Sequence, residues 1–283
     1  MNRLLFSSAA IVIAAVWLFA STFAPAANPV ADSGSTATVS ANKATSDKPP
    51  AKPPDPKLDP ANIPSAHFDP TDAYEIQHVD GWELLVNKRF KPSEPELYEQ
   101  TMAEVRHQLY NITRKVQPEA VNKLRKIRMW VDYDEPHTKC MCYHPRDSSP
   151  AWLKQRNMNP EMAGCVELAN AHTFVKWTLE QPWMVLHEFS HGYHDQFLAV
   201  GYDNPDVLAA YKAAMEQKLY DAVLCRGSKT EKAYATTNQM EYFAELSEAY
   251  FGTNDFYPFV NAELRQHDPH GYETLKKVWG PNL

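Results

Sequence analysis

Two histidines four residues apart, with a glutamate beside the first, constrain this chain more than any other feature. His187-Glu188-Phe189-Ser190-His191 follows the apolar run Trp183-Met184-Val185-Leu186, so the segment reads as a helix that enters the protein interior. Four residues carry an α-helix through about 400°, which stacks both imidazoles on one face within reach of a single ion. Two buried imidazoles without partners would be costly, so any fold that contains this helix must answer them. A zinc ion would do so, and Glu188 would then stand as general base beside a water whose pKa zinc lowers to roughly 7. The competing reading is a helix that holds these residues by composition alone, and the apolar run before the motif weighs against it.

A catalytic zinc takes three protein ligands and keeps one position open. The extended pattern that adds a glycine and a third histidine is absent, because His194 and Phe197 stand at those positions. Asp195 shares the helical face but lies about 6 Å beyond His191 along the axis, so it reads as a cap or a supporting group. His194, His144 and His137 read as surface or supporting residues. The remaining source is a later segment, Glu241-Tyr242-Phe243-Ala244-Glu245-Leu246-Ser247-Glu248, a helix with three glutamates among aromatic residues. Glu241 and Glu245 lie one turn apart, so one can bind the ion while the other accepts the outer N–H of a ligating histidine. The alternative is a solvated charged face, for which the aromatic neighbours leave little room.

The wider segment from Tyr234 to Glu245 resembles the second active-site segment of the anthrax lethal factor-like metallopeptidases. In that family a tyrosine is followed by an asparagine, then the zinc-binding glutamate, two aromatic residues, alanine and glutamate. This chain has Tyr234, Asn238, Glu241, Tyr242, Phe243, Ala244 and Glu245 at those positions. His187-Glu188-Phe189-Ser190-His191-Gly192 is likewise similar to the family's His-Glu-Phe-Gly-His-Ala, and the Pro-Pro endopeptidases are a second similar group. The resemblance spans residues 183–251 and has no counterpart of the toxin-docking domains. It implies Glu241 as third ligand, with Tyr234 as the phenol that stabilises the oxyanion or protonates the leaving amine. It also implies a zincin-like catalytic domain with one zinc per chain, acting on a peptide or protein substrate. Such enzymes pair an extended substrate with a strand beside the cleft. Gly164 to Ala169 is the candidate for that strand, against its reading as an ordinary core strand.

Around these motifs the fold reads as α+β, helix-rich with a small sheet. Tyr74 to Asn87 carries two apolar-rich runs joined by Asp80-Gly81, a hairpin signal. Ser93-Glu94-Pro95-Glu96 reads as a capping box before a long amphipathic helix through Ile112. Pro118 to Ile127 and Asn204-Pro205 to Gln217 read as helices, and Arg128 to Tyr133 as a strand. Leu219 to Cys225 and Lys232 to Ala235 read as a hairpin around Gly227. Asn238 to Tyr250 and two short C-terminal segments complete the helices.

Residues 1–26 have the basic start, apolar middle and Ala-x-Ala exit of a cleaved export signal, the rival being an uncleaved signal anchor. Residues 27–64, rich in Pro, Ala and Ser, read as a linker, and 65–283 as one catalytic domain. The chain is therefore expected outside the cytoplasm, with membrane contact only through the N-terminal segment if that is retained. A net charge of −7 without a basic stripe argues against nucleic acid as a partner. Cys140, Cys142, Cys165 and Cys225 read as disulfides or buried thiols rather than a second metal site, since no further Cys-x-x-Cys or His pair completes Cys140-Met141-Cys142 with His144. Two further readings stay open: a catalytically inactive binding protein that keeps the fold, and a metal-storage protein with several exchangeable sites.

Overall fold

The computed structural model describes residues 68–282, apart from 136, 137, 148, 227 and 228. The expected export signal and linker lie outside the described residues, as does His137. Strands β1 (Tyr74–Val79) and β2 (Trp82–Asn87) form the hairpin expected around Asp80-Gly81. Both turn residues have positive φ, 48° and 90°, the left-handed backbone that a two-residue turn needs. The chain then runs through α1 (Phe90–Ser93), α2 (Pro95–Lys115), α3 (Pro118–Leu124), β3 (Met129–Val131), β4 (Met141–Tyr143), α4 (Ser149–Gln155) and β5 (Val166–Leu168). It continues as α5 (Ala171–Trp177), α6 (Met184–Phe197), α7 (Pro205–Glu216), β6 (Val223–Cys225), β7 (Lys229–Glu231), α8 (Gln239–Phe251), α9 (Asn261–His267) and α10 (Pro269–Trp279). The described residues thus form a mixed α/β fold with ten helices, a five-stranded mixed sheet and a two-stranded sheet. No helix among them is long and apolar enough to cross a membrane.

The larger sheet has the order β1-β2-β3-β5-β4, with β2, β3 and β5 parallel and both edge strands antiparallel to them. Side chains alternate between its faces. Leu84, Val86, Met129, Val131, Met141, Tyr143, Val166 and Leu168 join the main core under the helices, whereas Leu85 and Trp130 join a smaller cluster with Leu153, Met158 and Met162. Of the two readings left open for Gly164 to Ala169, this arrangement selects the ordinary core strand. The strand there, β5, is hydrogen-bonded on both sides and has no edge to offer, and the edge strand next to it is β4 in the cysteine-rich tract, with β1 at the other edge.

Three other details differ from the sequence expectation. Ser93 closes α1, and Pro95 at the first turn starts α2 without a side-chain cap. The buried stripe of α2, Tyr98, Met102, Val105, Leu109 and Ile112, nevertheless follows helical spacing. The second small hairpin closes earlier than expected, with Lys229–Glu231 as its return strand and Tyr234–Thr236 in a 3-10 turn.

Helices α6 and α8 pack against each other in the main core. At one end of this pair the Trp183 indole lies directly on Gly252, so closely that a Cβ at 252 would fall 1.9 Å from ring atom Cε2. Asn238 caps α8, its Oδ1 accepting from the N–H groups of Met240 and Glu241.

Candidate metal centre

The crossing of α6 and α8 brings two donors on α6 to a third that lies 50 residues or more further along the chain. His187 Nε2 lies 3.3 Å and His191 Nε2 3.1 Å from Glu241 Oε2, and all three side chains are nearly buried. The two imidazoles meet edge to face with centroids 4.9 Å apart, as stacking at i and i+4 requires. Tetrahedral bonds of about 2.0–2.2 Å to one ion would set such donors roughly 3.3–3.6 Å apart. The distances found are at or slightly inside that range, and the set of two imidazoles and one carboxylate is chemically apt for zinc.

Behind the ligands stand two more acids of α8. Glu248 Oε1 lies 2.8 Å from His187 Nδ1, whereas Glu245 Oε1 is 3.9 Å away. The acceptor of the outer histidine N–H, expected at Glu245, is therefore Glu248, two turns beyond Glu241 on the same face. Glu245 instead accepts a hydrogen bond from Asn254 Nδ2 at 3.2 Å. Both carboxyls are buried, which pushes their pKa values above the usual carboxylate range. Glu248 Oε2 has no hydrogen-bond partner among the described residues.

Burial alone would lower the His187 pKa, but hydrogen bonds with Glu241 and Glu248 and the nearby charge of Glu188 raise it well above the ordinary value. For Glu241 burial acts upward, yet the His191 charge and the bonds from both histidines hold it well below the carboxylate range. Tyr234 donates to Glu241 Oε1 at 3.2 Å, and its ring stacks beside His187 with centroids 6.4 Å apart. Burial, followed by the charges of Glu241 and Glu188, raises the phenol's pKa, so it remains a proton donor.

Glu188 faces the sheet. Its Oε2 accepts from the Tyr143 backbone N–H at 2.8 Å, which joins the acid to the edge strand β4. Asp195, expected as a cap or supporting group, completes this connection. Its Oδ2 accepts from Tyr143 Oη at 2.7 Å and from the Arg146 N–H at 2.9 Å. A depression lined by Pro145, Arg146, Asp195, Gln196 and Tyr202 opens there. His194 supports the site from within the core rather than from the surface. Both its nitrogens lack partners among the described residues, it packs on Tyr202 and Phe243, and burial, with the His191 charge, lowers its pKa to about 3.

Sequence reasoning thus assembled His187, Glu188, His191, Tyr234 and Glu241, all of which the structure brings to one place. It missed Tyr143 and gave Glu248 no role. Helical periodicity places Glu248 on the Glu241 face and was the signal available for it, whereas Tyr143 left none, because a three-residue strand has no period to detect. No family model matches the chain, and no curated protein or solved structure matches it.

Proposed function

We propose that this chain is a zincin-like, zinc-dependent peptidase that hydrolyses peptide bonds of a protein or peptide outside the cytoplasm. The observation that carries the reading is the convergence of His187, His191 and Glu241, with the Tyr234 hydroxyl on the third donor and Glu188 held at a free sheet edge. The similarity of two segments to the lethal factor-like metallopeptidases supports it, as does the export signal read at residues 1–26. His187, His191 and Glu241 would hold the ion, with Glu248 orienting His187. Zinc, when bound, supplies Lewis acidity.

The chain's own groups do the rest. The free edge of β4 pairs with an extended substrate and holds its backbone beside α6. Glu188 takes a proton from water as the oxygen adds to the scissile carbonyl, and returns it to the amine nitrogen as the C–N bond breaks. Tyr234 donates a hydrogen bond towards the carbonyl oxygen, which is strongest when that oxygen carries negative charge.

Zinc content and cleavage of a diverse peptide library by the purified chain test this reading, beside Glu188→Ala and Glu241→Ala. Cleavage abolished by Glu188→Ala with metal retained, and metal weakened by Glu241→Ala, are the results expected. A wild type that binds one zinc, cleaves nothing and behaves identically to Glu188→Ala would replace the peptidase with an inactive binding protein. A chain that takes up no zinc would end the proposal.

A further inference from the structure

We infer that Cys142, His144 and Glu167 form a second, separate metal site for a thiophilic divalent cation of the zinc type, on the opposite face of β4 from His187. The strand register creates it. Cys142 stands directly opposite Glu167 across the β4–β5 ladder, and His144, two residues further on, returns to the same face. Tyr143 between them points the other way, into the main core.

The three donor atoms already lie close to coordination distances. Cys142 Sγ is 3.5 Å from His144 Nε2 and 3.7 Å from Glu167 Oε2, and the last two are 2.7 Å apart. A tetrahedral ion with sulfur at about 2.3 Å and nitrogen or oxygen at about 2.0–2.2 Å sets sulfur roughly 3.5–3.7 Å from each of the others. Both sulfur distances meet that range. The His144–Glu167 pair needs to open by under about 1 Å to its own tetrahedral separation.

A second observation points the same way. Glu167 is fully buried, and its Oε1 has no hydrogen-bond partner among the described residues. Its neighbours include Trp130 on β3 and the Trp152 ring, 6.2 Å from His144, with the buried Asp132 carboxyl near enough to feel the Glu167 charge. A buried carboxylate oxygen without a partner is costly there, and a cation satisfies it. One divalent ion with a thiolate, a carboxylate and a neutral imidazole is also electrically neutral, which suits an apolar interior. The thiolate selects zinc-like ions over magnesium or calcium. Cys142 is only half-buried, which leaves an approach for the ion. Binding releases the thiol proton, and the proton shared by His144 and Glu167, to solvent.

Cobalt(II) added to the reduced full-length chain is the test, because only a sulfur ligand gives thiolate-to-cobalt charge-transfer absorbance and the His187 cluster has none. We expect two cobalt equivalents and this absorbance in the wild type. Cys142→Ser should lose the absorbance and one equivalent, Glu167→Gln should weaken the second equivalent by at least about tenfold, and Cys225→Ser should keep both. A folded wild type without the absorbance would overturn the site, as would absorbance that survives Cys142→Ser or affinity unchanged in Glu167→Gln. Should Cys142→Ser fail to fold, the wild-type spectrum and Glu167→Gln still decide. Absorbance present in a chain that cleaves no peptide would count against the peptidase alone.

Discussion

The two donor clusters sit on opposite faces of one edge strand and are supported in different ways. At the α6–α8 crossing two of the three ligands are contacted by residues outside the donor set: Glu248 contacts His187, and the Tyr234 hydroxyl rests on Glu241. On the outer face, Cys142, His144 and Glu167 are held mainly by one another and by the register of two short strands. The supports of the first lie outside the donor set, on α8 and in the 3-10 turn ahead of it. The second is held by its own members, with His144 Nε2 2.7 Å from Glu167 Oε2. Preorganisation of the former kind is what catalysis requires, since donors that are already aimed need not reorganise during reaction.

The comparison is most exposed to a change at Glu188. Glu188→Gln keeps the volume and removes the base, so peptide cleavage should fall by about 10³-fold or more while zinc content stays constant. A parallel loss of metal would show that Glu188 helps build the cluster instead of acting beside it. Tyr234→Phe should lower kcat/KM by about 10²–10³-fold with zinc retained, and unchanged kinetics would remove the phenol from the mechanism. The support behind the ligands is tested by Glu248→Gln, which should weaken zinc about 10–100-fold in equilibrium competition with a chelator. Glu245→Gln should do less, given its 3.9 Å separation from His187. Equal effects would erase the distinction between the two acids.

An effect on stability instead of activity belongs to the outer face. Asp132 accepts hydrogen bonds from Tyr74 and Asn87, but burial dominates and, with the charge of Glu167, places its pKa at about 7 against an ordinary 3.8. A carboxyl raised in the folded state contributes stability that is complete below pH 3.8 and is lost as the pH rises through about 7. Urea midpoints measured from pH 4 to 8 should show this component, up to about 4 kcal/mol, in the wild type and not in Asp132→Asn. A difference between the two proteins that does not vary with pH would assign Asp132 a fixed charge.

The helical site was legible because a helix writes its geometry at short range. The four-residue interval from His187 to His191 lies within a single segment, whereas Glu241 and Tyr234 were legible through the resemblance of residues 234–245. The choice between Glu245 and Glu248 was not legible, because it depends on how α8 is rotated against α6, and packing decides that. The strand-borne features were hidden for a different reason. β4 and β5 have three residues each, too few for an alternation to stand out. Their pairing joins Cys142 to Glu167 through a register that no local spacing encodes. For the same reason Gly164–Ala169 stayed open between a substrate-pairing strand and a core strand.

The contact of Trp183 with Gly252 has a consequence for descent. The indole occupies the space that any side chain at 252 would need, and a rigid bicyclic ring cannot yield as the tip of a flexible chain would. A side chain at 252 therefore requires the indole at 183 to be lost or displaced. Lineages of this protein that gain a side chain at 252 should be those that have already given up the indole at 183.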